Sequence, residues 1–282
     1  MQKATEVASS PQERAMLLYR MAKVRAASGA AADQVSALYH SALDQDPTCL
    51  AAVVALEEMA RAANNPGQLV KLLQAREGLE RDEGKRKALL SEIGSLYVGP
   101  LAAPEQAVAA LERLLSLSSG DVAVQERLGT ALIAAGRVDE GEFALSQLAE
   151  QFARAKQPKN VARLQVLLGG FAETRGDLAM AKQRFLAAYQ IDPTQATTLA
   201  ALANLASAQN DSENARKYYR TLLLQSFDEK AVGLGKAQIY FALGKLHQEA
   251  GELPKARNMF ERGLEIDSKN EALKQALAKL PK

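Results

Sequence analysis

The residues of this 282-residue chain that could do chemistry are few: two histidines, one cysteine and some clusters of basic side chains. His40 and His247 are far apart, each lies beside apolar helix positions, and neither belongs to an HExxH or comparable metal-ligand pattern. A packed histidine is expected at 247, and Cys49 reads as a small buried residue without a catalytic context. No GxGxxG or GxxxxGK[ST] segment is present to cradle a phosphate, so no cofactor and no metal are expected. Asn210-Asp211-Ser212 has the form of a glycosylation site but reads as turn and cap chemistry. Arg154, Lys156, Lys159 and Arg163 form the strongest local basic patch, with Lys85-Arg86-Lys87 the next. Neither has aromatic residues interleaved, as single-strand binding would want, so solvated helix faces are expected and nucleic acid is not the expected partner. The chain reads as non-enzymatic.

The elements that would position these residues are helices. Hydrophobic residues make up 48% of the chain and aromatics only 5%, while Ala, Leu, Glu, Lys, Gln and Arg outnumber the β-branched residues that favour strands. A lone Cys49 excludes a disulfide scaffold. The balance of 35 Lys+Arg against 33 Asp+Glu gives no broad field for nucleic acid. It is nonetheless uneven: residues 1–141 carry −3 and residues 142–282 carry +5. Met1 to Glu6 is polar and no apolar segment follows it. The richest apolar stretch, Leu199 to Ala208, is interrupted by Asn204 and Ser207, so no membrane span is expected and a cytoplasmic location is the default.

A repeat organises the sequence. Leu168-Gly169, Leu202-Ala203 and Leu243-Gly244 are each followed twelve residues after the second position by Ala181, Ala215 and Ala256, then by Phe185, Tyr219 and Phe260. The offset is 34 from Gly169 to Ala203 and 41 from Ala203 to Gly244, because seven residues around Lys230–Lys236 are inserted. Turns recur at Arg175-Gly176-Asp177, Gln209-Asn210-Asp211 and Ala250-Gly251-Glu252. Gly129 to Gly169 spans 40, since the helix after Asp139 runs on through Lys156 towards Pro158. Asp177 and Thr194 are expected as N-caps, and Ser268-Lys269-Asn270-Glu271 as a capping box. Close approach at 169, 203 and 244 would bring paired helices together, with Phe185, Tyr219 and Phe260 filling the space between adjacent pairs.

Leu168-Gly169…Gly176…Ala181…Phe185…Ala188…Pro193 resembles the tetratricopeptide repeat, and so, less fully, do Ile93-Gly94…Tyr97…Ala107, Leu128-Gly129…Gly136…Gly141 and Tyr39…Ala42…Pro47. The resemblance implies an all-α, right-handed α-α solenoid of about seven helix pairs (11–47, 48–82, 83–120, 121–158, 159–194, 195–229 and 230–268) closed by a capping helix over 269–280. A helix pair cannot bury its apolar face alone and must stack. Repeat-like sequence begins almost at once, without an N-terminal cap, so the chain reads as a fragment of a longer array.

In tetratricopeptide arrays the first helix of each pair lines a concave groove, and the resemblance carries that face onto particular positions here. They are Arg127, Thr130 and Ile133; Arg163, Val166, Leu167, Gly170 and Glu173; Thr197, Ala200, Ala201, Asn204 and Ser207; and Gln238, Phe241, Ala242, Lys245 and Gln248. Val166, Gly170 and Ala201 stand where some members hold a peptide carboxylate with Lys and Asn, so that two-carboxylate clamp is not expected. Gly170, Ala200, Ala201 and Ala242 would floor the groove, with Asn204 and Lys245 as polar handles and Phe241 as an anchor. The expected function is an adaptor or scaffold that binds a peptide segment or partner protein, the alternative being a regulatory or substrate-recognition arm of a larger enzyme or membrane-associated assembly.

Overall fold

The computed structural model describes residues 10–281, so the polar start from Met1 to Glu6 lies outside the described residues. Every regular element among them is helical: α1 Pro11–Ala27, α2 Ala32–Gln45, α3 Leu50–Ala62, α4 Pro66–Leu79, α5 Glu83–Val98, α6 Pro104–Leu117, α7 Val122–Ala134, α8 Val138–Arg154, α9 Pro158–Thr174, α10 Leu178–Ile191, α11 Ala196–Ala208, α12 Ser212–Leu223, α13 Glu229–Val232, α14 Lys236–Glu249, α15 Leu253–Ile266 and α16 Glu271–Ala278. The chain divides into two compact units, the first ending at Ala144 and the second beginning at Leu145. None of the described helices is long and apolar enough to cross a membrane.

In the first unit each helix from α1 to α7 packs on the next. Its cores are made of small and aliphatic side chains, Ala15, Ala22, Ala42, Ala52, Leu56 and Leu73 in one cluster and Leu90, Ala107, Leu111 and Ala131 in another. Two carboxylates are buried among them. Glu57 is fully buried, with Oε2 2.9 Å from Arg76 Nη1 and 3.5 Å from Arg61 Nη1. Glu77 is 2% exposed and is held on one oxygen by Nε and Nη2 of Arg86 and on the other by Arg113 Nη2. These clamps tie α3 to α4, and α4 to α5 and α6.

In the second unit the pairs α9/α10, α11/α12 and α14/α15 succeed one another, and α16 packs on α15. The glycines of the repeat have a steric reason. A Cβ on Gly169 would clash with Cε1 of Phe185, and one on Gly244 with Cε1 of Phe260. Each ring therefore lies over the glycine of its own pair and also belongs to a core that reaches the next element, Phe185 with Leu199 and Leu202 of α11 and Phe260 with Leu273 of α16. Leu273 of α16 closes over Gly263 in the same manner, where an added Cβ would stand 2.8 Å from Leu273 Cδ1.

The turns follow one grammar. Gly176, Asn210 and Gly251 have φ of +81°, +58° and +73°, a left-handed conformation that ends the preceding helix. The next residue is an N-cap: Asp177 accepts from Met180 N and Asp211 from Asn214 N. Glu252, in the same place, makes no cap hydrogen bond. Two expected caps move. Thr194 does not cap α11; Asp192 Oδ1 accepts from both Thr194 N and Thr194 Oγ1, and Gln195 takes the N-cap position. Asp46-Pro47-Thr48 closes identically. At the C-terminus Asn270, not Ser268, caps α16 by accepting from Leu273 N.

Candidate partner-binding face

The predicted groove residues lie on first helices of their pairs, Arg127, Thr130 and Ile133 in the first unit and the others in the second. Within the first unit, Arg127 of α7 reaches across to α5: Nη1 donates to Ser91 Oγ, and Nη2 to the Ser91 carbonyl and Ser95 Oγ. Gly94 makes room for it, since a Cβ there would stand 3.3 Å from Nη2. Burial pulls the Arg127 pKa down, with the Asp121 charge opposing. Thr130 Oγ1 donates back to the Arg127 carbonyl, and Ile133 is half-buried.

In the second unit α9 packs directly on α11, so their two rows stand side by side. Gly170 opens onto free space, where an added Cβ would meet nothing within 4 Å. Arg163 is exposed; Leu167, Glu173, Thr197, Ala201 and Ser207 are half-exposed. Val166 packs on the core around Leu199. Asn204 is exposed, and its Oδ1 accepts from Tyr219 Oη at 2.8 Å, a bond that engages the carbonyl end of the side chain and not its amide N–H₂. Tyr219 holds the place of Phe185 in the repeat, so its hydroxyl is an addition that orients the asparagine.

Two expectations are corrected here. Ala200 is only 4% exposed and belongs to the core under α11, so it does not floor a groove. Gln238 is committed to its own helix, because its Oε1 accepts from Gly235 N as half of a capping box. Phe241 is half-buried, with its ring 6.0 Å from that of Phe260, and supports the last core as much as it offers an anchor. Lys245 is exposed, its ammonium 3.5 Å from Gln248 Oε1, and Ala242 is half-buried. The seven-residue insert becomes α13, which packs on α11 while α14 packs on α12 and α15. Phe227, Val232 and Leu234 anchor it to the core.

The extended α8 ends in Arg154, paired with Glu150, and Arg154, Lys156 and Lys159 are all exposed, as solvated faces are. Cys49 is buried and His40 exposed. Among the described residues no group of three or more His, Cys, Asp or Glu is arranged to hold a metal.

His247, expected as a packed residue, is 2% exposed and also sits in a polar cluster that the sequence reading did not anticipate. Its Nδ1–H donates to Glu252 Oε2, which also meets Arg216 Nη1 at 3.4 Å, while Glu252 Oε1 accepts from Lys255 Nζ at 2.8 Å. The hydrogen bonds from Lys255 and His247 pull the Glu252 carboxyl from its ordinary 4.5 down to about 2. A depressed carboxylate pKa gives stability that is present above about 4.5 and is lost as the pH falls towards 2. Glu252→Gln should therefore melt below the parent protein at pH 6, and the gap in Tm should close between pH 4.5 and 2. Circular dichroism melts across that range check it; a constant gap would contradict it.

Helix pairs in series, joined within the pair by a left-handed turn in the second unit and in two cases closed by a phenylalanine over a glycine, define a helical-repeat protein with an exposed first-helix face. The tetratricopeptide-repeat family profile matches residues 102–165 and a second such profile matches 194–269. The chain is a tetratricopeptide-repeat protein. Its fold is similar to that of the apo quorum sensor NprR from B. thuringiensis, at 12% identity and a TM-score of 0.55 over 87% of this chain and 74% of that one. Pseudomonas aeruginosa pilF aligns over 95% of this chain and 99% of its own, at 14% identity and a TM-score of 0.48. A tetratricopeptide repeat protein from Parabacteroides merdae aligns over 94% and 97%, at 15% identity and a TM-score of 0.47. No curated protein matches the sequence. Repeats of this family are in general modules of protein–protein interaction.

Proposed function

We propose that this protein is a non-enzymatic adaptor whose second unit receives an extended peptide segment of a partner protein on the first-helix face of α9, α11 and α14. The observation that carries the reading is Asn204: it is exposed, and the Tyr219 hydroxyl engages its carbonyl oxygen and leaves the amide N–H₂ for a backbone carbonyl laid across α11. Gly170, on the neighbouring α9, leaves room for a main chain to approach, and Lys245 supplies a positive charge on α14. An extended segment is the occupant that backbone-directed hydrogen bonding favours, because it exposes unpaired carbonyls along its length. The face is built on packed helices, so little conformational entropy is spent in ordering it on binding.

Asn204→Ala combined with Lys245→Glu is expected to weaken partner binding about tenfold, from the loss of one hydrogen bond and the reversal of one charge. Neither residue is part of the core, so the far-ultraviolet circular dichroism should not change. Titration calorimetry with a partner recovered by affinity purification reads the effect. Unchanged affinity would remove the site from this face.

A further inference from the structure

The second unit holds another surface of defined chemistry, formed by α12, the end of α14 and the start of α15. It is an open cleft of about 550 Å³ whose lining includes Arg216, Lys217, Arg220, His247, Glu252 and Lys255. Glu213 also lines it and is exposed. Four cationic side chains thus meet two carboxylates there.

The cations are not equally compensated. Glu252 takes Arg216, Lys255 and the Nδ1–H of His247. Because Nδ1 donates to that carboxylate, Nε2 of the ring is the acceptor, and Arg220 Nη2 donates to it at 3.1 Å. A ring that accepts in this way orients a guanidinium without cancelling its charge, and Arg220 has five N–H donors of which this contact uses one. Lys217 lies with its ammonium 5.7 Å from the centre of the Tyr218 ring. Among the described residues neither Arg220 nor Lys217 pairs with a carboxylate. Arg216 and Arg220 are also four residues apart on one helix, an arrangement that repels.

The cluster depends on a departure from the repeat. Where Asp177 and Asp211 cap their helices, Glu252 is one methylene longer and leaves the cap empty to bind His247. That single exchange converts a cap into the hub that aims Arg220 at the cleft.

We propose that this cleft is a second binding site, separate from the first-helix face, and that it takes an acidic peptide segment. Charge complementarity selects an anion. The form of the cleft selects a peptide: it is open, and its cations are spread along α12 and across to Lys255 rather than converging on one point. Glu or Asp side chains spaced along a chain can meet Arg220 and Lys217 in turn. A compact anion would be enclosed by nothing here.

The test is fluorescence anisotropy of the full chain with labelled hexaglutamate at 50 mM salt, with hexaglutamine as the uncharged control and tripolyphosphate as a small-anion competitor. Hexaglutamate is expected to bind at least tenfold more tightly than hexaglutamine and to weaken steeply with salt. Lys217→Glu, at an exposed residue outside any ion pair, and Arg220→Gln are each expected to weaken it at least fivefold. Lys274→Glu, on α16, is expected to leave it within twofold. Equal binding of the two peptides, or affinity unchanged by both variants, would overturn the proposal. Tripolyphosphate binding without hexaglutamate binding would replace the peptide with a small anion, and overturn it also.

Discussion

Phe260→Ala is expected to destabilise the second unit by about 3–5 kcal/mol, the cost of emptying a fully buried aromatic site. Phe260 is 0% exposed, covers Gly244 within its pair, meets the Phe241 ring, and shares a core with Ala256, Leu273, Ala276 and Leu280. Repeat proteins are held by nearest-neighbour contacts, so the damage should stay local. Hydrogen exchange should rise in α14 to α16 and change little in α1 to α6. The same geometry fixes the sign of a second substitution. Gly244→Ala should destabilise the parent, because its Cβ would clash with Cε1 of the Phe260 ring. In the Phe260→Ala background it should become stabilising, by about 1 kcal/mol of helix propensity. Urea unfolding of the four proteins closes this cycle, and additive effects would contradict the contact.

The other large effect concerns the charge buried in the first unit. Arg86→Met with Arg113→Met removes both cations that meet Glu77, which is 2% exposed. An ion stranded away from water costs about 3–5 kcal/mol, and the arginines, being partly exposed, do not strand when the roles are reversed. Adding Glu77→Met should therefore recover most of the loss, since a buried ion pair replaced by apolar side chains of similar volume is near neutral. Urea unfolding of the double and triple variants decides it. A triple variant as unstable as the double would show that the arginines contribute by packing alone.

Much of this architecture can be read in the sequence because a repeat states its packing rule several times. Gly169 with Phe185 and Gly244 with Phe260 recur at a fixed spacing, and contacts between adjacent helices are short in sequence. The turn residues Gly176, Asn210 and Gly251 are legible for the same reason: left-handed backbone selects Gly or Asn. Caps were less so. Thr194 and Ser268 have the right residue types, yet a nearby Asp competes for the backbone N–H groups and shifts the cap by one or two residues. Glu57 and Glu77 were hidden because Arg76, Arg86 and Arg113 arrive from other helices, 9 to 36 residues away.

The binding faces are legible only in part. Position along a first helix places Asn204 and Lys245 at the surface, but Ala200 is covered by its neighbours and Gln238 is taken by its cap. The His247 cluster had one available sign, a Glu at 252 where sister repeats carry Asp. Its meaning appears only when Arg216 and Arg220 are brought to it from α12.

The central claim is that a protein partner lies on the first-helix face of the second unit. It is tested most directly by placing a photo-crosslinking amino acid in turn at Asn204, Lys245 and, on a second helix, Lys182, and irradiating in cells that contain the native partners. Efficient crosslinks to the same protein from 204 and 245, with none from 182, are the predicted result. Crosslinks from 182 alone would contradict it.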